Sequence, residues 1–304
     1  MQEKVVVVTG ASSGIGKVAA RQLAADGWRV IAVGRDLGRT AQAAKELAAS
    51  KGGQRIEMLR ADISVMAEVE ALANAIAART DRIDVLLNNA GGVGNRLVMT
   101  DEGLEQTLAG NHLGPMLLTQ RLLPLLRAAA ADQPSGTVRI INTSSAASEM
   151  ISALDIDDLQ CLNGFDPGGA YCAAKLGNIL FTRSLARRLA AEDITVHAVH
   201  PGVVDSNFYA DLTEEMEAST RDLPKLSEEA GADTLIWLTT NPEGAKHSGT
   251  YWHERAPRAV NPIAENADFA EQHWTASEGL IAKALSRPAA ALALEVCRLT
   301  DHQT

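Results

Sequence analysis

The chain has 304 residues, of which 46% are hydrophobic and 22% charged, and its formal net charge is −10. This length and composition predict one α/β domain spanning 1–304 with a substantial core. The acidic balance argues against a nucleic-acid partner, because phosphate backbones are bound by clustered Lys and Arg, and it favours small-molecule partners.

The first predicted element is a strand, Val5–Val8, whose unbroken β-branched run is typical of a strand buried on both faces of a parallel sheet. A glycine turn of the form GxxxGxG follows it, and a helix then runs to Gly27. Backbone without side chains can approach a pyrophosphate there, while the free N–H groups at the start of the helix face its charge. The candidate residues are Gly10, Ser12, Ser13, Gly14, Ile15 and Gly16. A tight connection that binds nothing is the alternative, and a lone glycine triplet does not decide between the two.

The second predicted strand, Arg29–Val33, ends in residues that bear on the choice of dinucleotide. A carboxylate at the end of this strand would accept hydrogen bonds from a ribose 2′-hydroxyl and repel a 2′-phosphate, whereas an arginine just after it can pair with that phosphate. The chain has Gly34 and Arg35 in these places, so NADP(H) is favoured, and Arg39 could add a second positive charge. Asp36 keeps NAD(H) open, and an arginine merely exposed on a loop is the alternative for Arg35.

The middle of the chain continues the alternation of helices and strands. Its predicted elements are a helix at Thr40–Ser50, a strand at Arg55–Leu59, a helix at Val65–Ala78, a strand ending at Asn88, an irregular loop at Gly92–Thr100 that could border a substrate, and a helix at Asp101–Ala131. Asp62 follows the third strand, where capping of the next helix is one role for its carboxylate. Asn111 lies inside the long helix among apolar residues, and a buried amide there must find hydrogen-bond partners.

The candidate chemistry follows the fifth predicted strand, Gly136–Thr143. That strand closes in Ser144 and Ser145, and in the next helix Tyr171 and Lys175 stand four residues apart, on one face. A phenol can take the proton of an alcohol at neutral pH only if its pKa, about 10 unperturbed, is lowered, and an ammonium one turn away lowers it. YxxxK alone is a weak signal, since an isolated instance is more often an ordinary surface pair.

The last third of the chain is predicted to complete a doubly wound parallel sheet of seven strands with helices on both faces. Its elements are a strand at Ile194–Val199, a bend at Pro201–Gly202, a helix at Leu226–Thr239, a strand at Gly249–Trp252, a helix at Phe269–Leu285 and a second apolar helix at Ala289–Leu299. The C-terminal tail 286–304 belongs to no motif, and we expect its helix to serve packing or subunit contact.

Several motifs stand in a fixed order along the chain: TGASSGIG, NNAG, Asn111 in its helix, two serines at a strand end, and YxxxK. Together they resemble the short-chain dehydrogenase/reductase family, which implies a single Rossmann domain and an enzyme that binds a nicotinamide coenzyme. NHLGPMLLT, YxxxKLGNILF, HPGVV, EEAGADTLIWLTTNPE and SGTYW resemble its retinol dehydrogenase and WW-domain oxidoreductase branch over most of the chain. Members of that branch act on apolar alcohols and the matching carbonyls, usually with NADP(H).

The resemblance implies a role for each candidate residue. Tyr171 is the general acid/base, Lys175 also binds the nicotinamide ribose, and Ser145 rather than Ser144 hydrogen-bonds the substrate oxygen. Asn111 holds a water in a proton relay behind the lysine. The remaining cofactor contacts are Asp62 and Ile63 at the adenine, Asn89, Ala90 and Gly91 at the ribose, and Pro201, Gly202, Val203 and Ser206 near the nicotinamide.

By the same resemblance, two segments, 146–170 and 207–226, wall the substrate pocket. The second holds Phe208, Tyr209, Leu212 and Met216 together with several carboxylates. This composition fits either an amphipathic lid or a plain surface helix.

These inferences lead to one function and two alternatives. We expect an NADP(H)-dependent oxidoreductase that interconverts an apolar alcohol and its aldehyde or ketone by hydride transfer. The family commonly pairs, and the sequence itself leaves open whether this chain forms a homodimer or homotetramer. A non-catalytic NADP(H)-binding sensor or scaffold is the first alternative, although such proteins typically lose the tyrosine or the lysine. Redox-neutral epimerisation or dehydration is the second, and such relatives usually carry a differently spaced glycine turn.

The cysteine spacing and the hydropathy of the sequence indicate whether a metal site or a membrane anchor is expected and where in the cell the protein lies. The three cysteines, Cys161, Cys172 and Cys297, have neither disulfide-framework nor metal-ligand spacing. No apolar run reaches the roughly 18 residues that span a bilayer, and the first strand begins too near Met1 to leave room for a signal peptide. The sequence therefore predicts no metal site, no membrane anchor and a cytoplasmic location.

Overall fold

The computed structural model describes residues 3–206, 212–214, 217–218 and 221–287. Its centre is a sheet whose strands are β1 Val5–Thr9, β2 Arg29–Gly34, β3 Ile56–Arg60, β4 Val85–Asn88, β5 Val138–Thr143, β6 Ile194–Val199, β7 Thr250–His253 and β8 Ala256–Pro257. They lie in the order β3-β2-β1-β4-β5-β6-β7-β8, and all neighbouring pairs are parallel except β7 with β8. The doubly wound parallel fold predicted from the sequence is confirmed.

The eighth strand corrects the predicted count of seven. β8 turns back antiparallel on β7 and pairs Ala256 with His253. Glu254 and Arg255 form the two-residue turn, and both take positive φ, 50° and 60°. Turns of this kind usually contain Asn or Gly, so a Glu-Arg pair carries no hairpin signal in the sequence.

Helices pack on both faces of the sheet. They are α1 Gly14–Ala25, α2 Leu37–Ala48, α3 Met66–Ala77, α4 Gln106–Leu108, α5 Gly114–Ala130, α6 Pro167–Arg188, α7 Glu228–Thr240, α8 Pro262–Glu265 and α9 Ala267–Leu285, with 3-10 turns at Gly53–Arg55, Ala146–Glu149 and Pro242–Ala245. One core, under α1, α2 and α7, contains Val6 and Val8 of β1. The other, under α3, α5, α6 and α9, contains Val5 and Val7, because successive side chains of a strand point to opposite faces.

The long helix predicted at 101–131 begins at Gln106 instead and is interrupted. The carboxylate of Glu105 caps α4 by accepting from Thr107 N (2.8 Å) and Leu108 N (2.7 Å). The carboxylate of Glu102 accepts from Met66 N at 2.6 Å and so caps the start of α3. Between α4 and α5, Ala109–Leu113 forms a π-helical turn. Because the carboxylates of Glu102 and Glu105 act as helix caps, the residues 101–105 that were predicted to begin the helix lie outside it.

The strand order reverses between β1 and β4, which opens a crevice at the carboxyl ends of these strands. Doubly wound sheets bind their ligands at this switch point. The turns that follow β1, β2, β4 and β5 all reach it. The topology therefore gathers motifs that are far apart in the sequence at one edge of the sheet.

One predicted segment lies partly, and another wholly, outside the described residues. Phe208, Tyr209 and Met216 of the segment 207–226 lie outside them, as does the whole helix predicted at Ala289–Leu299. Among the helices that the described ranges contain, none combines the length and the apolar character that a bilayer crossing requires. In the same ranges, no group of three or more His, Cys, Asp or Glu side chains is arranged to hold a metal ion.

Candidate active site

One cleft of about 740 Å³ is lined by the turns after β1, β2, β3, β4, β5 and β6. It brings together almost all of the residues singled out from the sequence. They are Gly10, Ser12, Ser13, Gly14, Ile15, Gly16, Arg35, Asp62, Ile63, Asn89, Ala90, Gly91, Asn111, Ser145, Tyr171, Lys175, Pro201, Gly202 and Ser206. Val203 does not line the cleft, and its carbonyl accepts a hydrogen bond from Leu226 N at 2.7 Å.

The glycine turn between β1 and α1 depends on missing side chains. Gly10 and Gly14 take positive φ, 70° and 58°. At Gly16 a Cβ would lie 2.4 Å from the carbonyl oxygen of Gly10 and 2.5 Å from Asn89 Nδ2, so no larger residue fits. Ser13 is the N-cap of α1, and its side chain makes no capping hydrogen bond. The first N–H groups of α1 therefore face the cleft without a side-chain cap, which suits an anion such as a pyrophosphate.

The NNAG turn after β4 is held against β1. Thr9 Oγ1 accepts from the backbone N–H of Asn89, and Asn89 Nδ2 donates to Thr9 O, both at 3.0 Å. At Gly91 a Cβ would lie 2.5 Å from Asn111 Oδ1 and 3.1 Å from Lys175 Nζ. Glycine at this position therefore lets both of these side chains approach the turn.

Asn111 lies in the π-helical turn and is 2% exposed. Its Nδ2 donates to the carbonyls of Gly92 (2.7 Å) and Thr107 (2.8 Å), and its Oδ1 accepts from Gly92 N at 3.2 Å. Asn111 thus holds the loop after NNAG through Gly92 and spends its other amide hydrogen on Thr107 of α4, which is the structural role that the sequence left open. A water at this residue would have to use Oδ1 or the backbone, and the proton relay stays a prediction.

Tyr171 and Lys175 lie near the start of α6, which Asp166 caps by accepting from Gly169 N at 2.6 Å. The side chain of Lys175 is buried, and its Nζ donates to Thr143 O at 3.2 Å and lies 5.6 Å from the centroid of the Tyr171 ring. Burial lowers the pKa of Lys175 to about 7, because the charged ammonium loses its hydration. The lysine therefore holds its proton only loosely near neutral pH.

The two serines after β5 have different environments. Ser144 Oγ donates to the carbonyl of Lys175 at 2.7 Å and is buried, so its hydroxyl is committed to α6. Ser145 Oγ accepts from Ala147 N at 3.2 Å, a bond that does not use its hydroxyl hydrogen, and Ser145 lines the cleft. This arrangement favours Ser145 as the serine that meets a substrate oxygen.

The end of the cleft that follows β2 is basic. Arg35 and Arg39 line it. The carboxylate of Asp36 caps α2 by accepting from Arg39 N at 2.8 Å, and this hydrogen bond, assisted by the charges of both arginines, lowers the pKa of Asp36. The one residue that kept NAD(H) open is therefore engaged in capping a helix.

Gly34, the last residue of β2, has no room for a side chain. A Cβ there would lie 2.4 Å from Thr40 Oγ1 and 2.9 Å from Ser12 Cβ. Thr40 is fully buried in α2. A carboxylate that could hold a ribose 2′-hydroxyl therefore does not fit at the end of this strand.

The loop after β3 has its own hydrogen bonds. Asp62 Oδ1 accepts from Ser64 N (2.9 Å) and Ser64 Oγ (2.7 Å), and Asp62 N donates to Glu68 Oε2 at 2.7 Å. Asp62 therefore closes a local turn and does not cap α3, whose N-cap is Val65, so the helix-capping alternative for Asp62 is wrong. Asp62 and Ile63 also line the cleft, and their adenine contact stays a prediction.

Part of the wall comes from the loop after NNAG. The loop residues that line the cleft are Val93, Gly94, Asn95, Arg96 and Val98. Gln106 and Thr107 of α4 line it as well. No residue of 146–170 lines the cleft, although that segment was expected to form the pocket wall. Its Ile151 carbonyl accepts from Asn261 Nδ2 at 2.7 Å and its Gln160 Oε1 accepts from Glu105 N at 2.8 Å, so the segment is tied to neighbouring loops at two points.

Known proteins resemble this chain over most of its length. The family model described as short chain dehydrogenase matches residues 4–217. Human retinol dehydrogenase 12 is 36% identical over 276 residues, which cover 90% of this chain and 85% of that protein. The crystal structure of an uncharacterised protein from Mycobacterium paratuberculosis has a TM-score of 0.73 at 28% identity and covers 92% of this chain and 93% of its own. The active-site complex of Pseudomonas aeruginosa RhlG with NADP has a TM-score of 0.66 at 26% identity, over 88% of this chain and 96% of that one.

Proposed function

The chain belongs to the short-chain dehydrogenase family, within its retinol dehydrogenase branch, and from this premise we propose an NADP(H)-dependent enzyme that interconverts an apolar alcohol and its aldehyde or ketone. Oxidoreduction between an alcohol and a carbonyl is the reaction for which the retinol dehydrogenases that this chain resembles are named. The finer part of the proposal is hydride transfer with Tyr171 as the general acid/base. One observation carries it: Tyr171, Lys175 and Ser145 line the same cleft as the glycine turn.

The cleft has the features that a nicotinamide dinucleotide requires. The tight backbone at Gly16 and the open N–H groups at the start of α1 suit a pyrophosphate. Arg35 and Arg39 line the end where a 2′-phosphate would need a positive partner, and the carboxylate of Asp36 caps α2 instead. The crowding at Gly34 excludes a carboxylate that would claim a 2′-hydroxyl. The first two features suit either dinucleotide, whereas the two arginines, the engagement of Asp36 and the crowding at Gly34 support NADP(H) over NAD(H).

Tyr171, Ser145 and Lys175 each have a different role in proton transfer. When bound, the coenzyme would supply hydride to the reacting carbon or accept hydride from it. In carbonyl reduction, Tyr171 donates its phenolic proton to the substrate oxygen as that oxygen becomes a hydroxyl, and Ser145 donates a hydrogen bond to the same atom. The charge of Lys175, one helical turn away, stabilises the phenolate that remains. In alcohol oxidation the proton returns from the hydroxyl to Tyr171.

An apolar substrate is supported by the relatives and by the loop beside the site. Human retinol dehydrogenase 12 is named for an apolar alcohol. In this chain Val93 and Val98 line the cleft, and Leu97 and Met99 of the same loop are 44% and 42% exposed. A longer alkyl chain would bury more apolar surface against this loop, and each buried CH₂ contributes about 0.8 kcal/mol.

The proposal is tested by offering the purified protein aldehydes and ketones of increasing hydrophobicity with NADPH and with NADH. We expect carbonyl-dependent oxidation of NADPH, with kcat/KM rising by at most about fourfold for each added methylene, the equivalent of its burial. Loss of the absorbance of reduced nicotinamide measures the reaction. Tight NADPH binding without oxidation by any carbonyl of the panel would contradict the enzyme assignment and favour a sensor or scaffold.

Replacing Arg35 by Ser should weaken NADPH binding by about 10- to 100-fold, the equivalent of one lost charge-assisted hydrogen bond. The affinity for NADH should stay nearly constant, because NADH has no 2′-phosphate for Arg35 to meet. Titration of both coenzymes against the protein measures the two dissociation constants. Arg21→Ser is the matched control, since Arg21 is exposed on α1 and pairs with Glu229. Equal losses for NADPH and NADH in Arg35→Ser would show that Arg35 does not distinguish them.

A further inference from the structure

A line of buried polar groups connects α9 with the side chain of Lys175. Ser277 Oγ lies 3.0 Å from His112 Nε2, and His112 Nδ1 lies 3.3 Å from Asn178 Oδ1. Asn178 Nδ2 and Lys175 Nζ both donate to the carbonyl of Thr143, at 3.1 and 3.2 Å. All five residues are more than nine-tenths buried. The line thus begins on a helix outside the region that the family model matches and ends in the active site.

The direction of every hydrogen bond in this line is determined. The carbonyl of Thr143 can only accept, so the amide of Asn178 must present Nδ2 to it and Oδ1 to His112. His112 Nδ1 must therefore carry the hydrogen. Burial lowers the pKa of His112 to about 4, so its ring is neutral at pH 7 and Nε2 is an acceptor. Ser277 donates to that nitrogen, which locks the tautomer of His112.

The line of hydrogen bonds contacts Lys175 at one atom, the carbonyl oxygen of Thr143. Two donors use both acceptor directions of that oxygen, so the bond from Asn178 restricts where the ammonium of Lys175 can lie. The ammonium must stay near Tyr171 to act on it, because the interaction of charges falls with distance. We propose that Asn178, His112 and Ser277 are positioning residues that orient the Thr143 carbonyl and thereby keep the ammonium of Lys175 close to Tyr171. The inference rests on the function proposed for Tyr171.

The ionisable groups around the line leave Lys175 as the source of charge at neutral pH. Lys175 and Tyr171 face it from α6, His112 from the π-helical turn, and His273 from α9, its ring 4.9 Å from that of His112. Burial, and then the neighbouring His112, holds the pKa of His273 well below its usual value, so both imidazoles are neutral. No charge on either ring competes with the lysine.

Ionisation of Tyr171 can be measured without substrate or coenzyme. The absorbance of phenolate is recorded against pH for each protein and for the same protein carrying Tyr171→Phe, and the difference reports Tyr171. The chain has three tyrosines. Burial raises the pKa of Tyr251, and its contribution cancels in the difference. Tyr171 and Lys175 titrate as a coupled pair, because a phenolate close to Lys175 favours its ammonium. In Ser277→Ala we expect the midpoint of the phenolate signal to rise by about 0.5 in pH or more, a roughly threefold change in proton affinity.

Asn178→Leu removes the donor to the Thr143 carbonyl itself and should raise the midpoint at least as far. Two controls separate positioning from general damage. Ser277→Thr keeps the hydroxyl and should restore the wild-type midpoint, and Ser184→Ala, which deletes a buried serine hydroxyl on α6 that accepts from Arg187, should leave it unchanged. A purely structural role would lower the unfolding temperature of Ser277→Ala without moving the midpoint.

The inference is overturned if Ser277→Ala shows native circular dichroism and an unchanged midpoint, or if Ser184→Ala raises the midpoint equally. If Asn178→Leu does not fold, the midpoint measured for Ser277→Ala is sufficient to test the inference. A failed carbonyl panel would remove the proposed function without altering these midpoints. The two failures are therefore distinguishable.

Discussion

Replacing Tyr171 by Phe should lower the turnover number for NADPH-dependent carbonyl reduction by about 10²- to 10⁴-fold, the range that a positioned general acid contributes. The change removes one oxygen and keeps the ring that lies 5.6 Å from Lys175 Nζ. The glycine turn and Arg35 lie elsewhere in the cleft, so the dissociation constant of NADPH should be almost unchanged. Steady-state kinetics and a titration with NADPH measure the two quantities separately.

Tyr251→Phe is the matched control for this experiment. Tyr251 is buried on β7, and its hydroxyl donates to Glu149 Oε1 at 3.5 Å rather than lining the cleft. Its loss should reduce stability while turnover persists. If Tyr171→Phe kept its turnover, or lost NADPH binding together with turnover, the role assigned to Tyr171 would be wrong.

Acidification should destabilise the fold, because four histidines are buried uncharged. Burial lowers the pKa of His112, His197 and His200 to about 4, and that of His273 well below 6.5. In the unfolded chain these side chains bind protons below about pH 6.5 whereas in the fold they do not, so stability falls as the pH drops from 6.5 toward 4. Between pH 7 and 5 each accounts for about 2 kcal/mol, and together they approach the whole stability of an ordinary domain. The urea midpoint at the two pH values measures the loss.

His197→Gln should make the unfolding free energy less sensitive to pH by about 2 kcal/mol over the same interval. His197 Nε2 lies 2.7 Å from the carbonyl of Gly244, and its Nδ1 accepts from Trp252 Nε1 at 3.1 Å, so a second proton would break the bond to Trp252. His247→Gln, whose parent side chain is 55% exposed, should leave the pH dependence as it is. Equal pH dependence in wild type and His197→Gln would contradict the assignment.

The conformation of the glycine turn could be predicted because its determinants are local. The run Val5–Val8, the glycines after it and the helix that follows are consecutive, so their spacing alone describes a strand, a turn and a helix start. Tyr171 and Lys175 share a face for the same reason, since four residues make about one helical turn. β6 has the bounds Ile194–Val199 that its apolar run predicts.

Features that depend on pairing between distant segments could not be predicted in this way. Ser277 and His112 are 165 residues apart, and neither motif nor periodicity links them. Glu102 lies in a pattern that favours a helix, yet its carboxylate caps α3 across the fold. Asn111 is similar, since the sequence shows that its amide must be satisfied and only the structure shows that Gly92 satisfies it. Local conformation depends on neighbouring residues in the sequence, whereas long-range hydrogen-bond partners depend on how the whole chain packs.

If the chain uses NADP(H) as proposed, the crowding at Gly34 limits how it could be re-engineered for the coenzyme without a 2′-phosphate. The obvious single substitution, an aspartate at the end of β2, would collide with Thr40, whose β-branched side chain is stiff within a helix and fully buried. A successful redesign has to reduce the side chain at position 40 first and add the acidic group second. Selection from libraries that vary one position at a time would miss that combination.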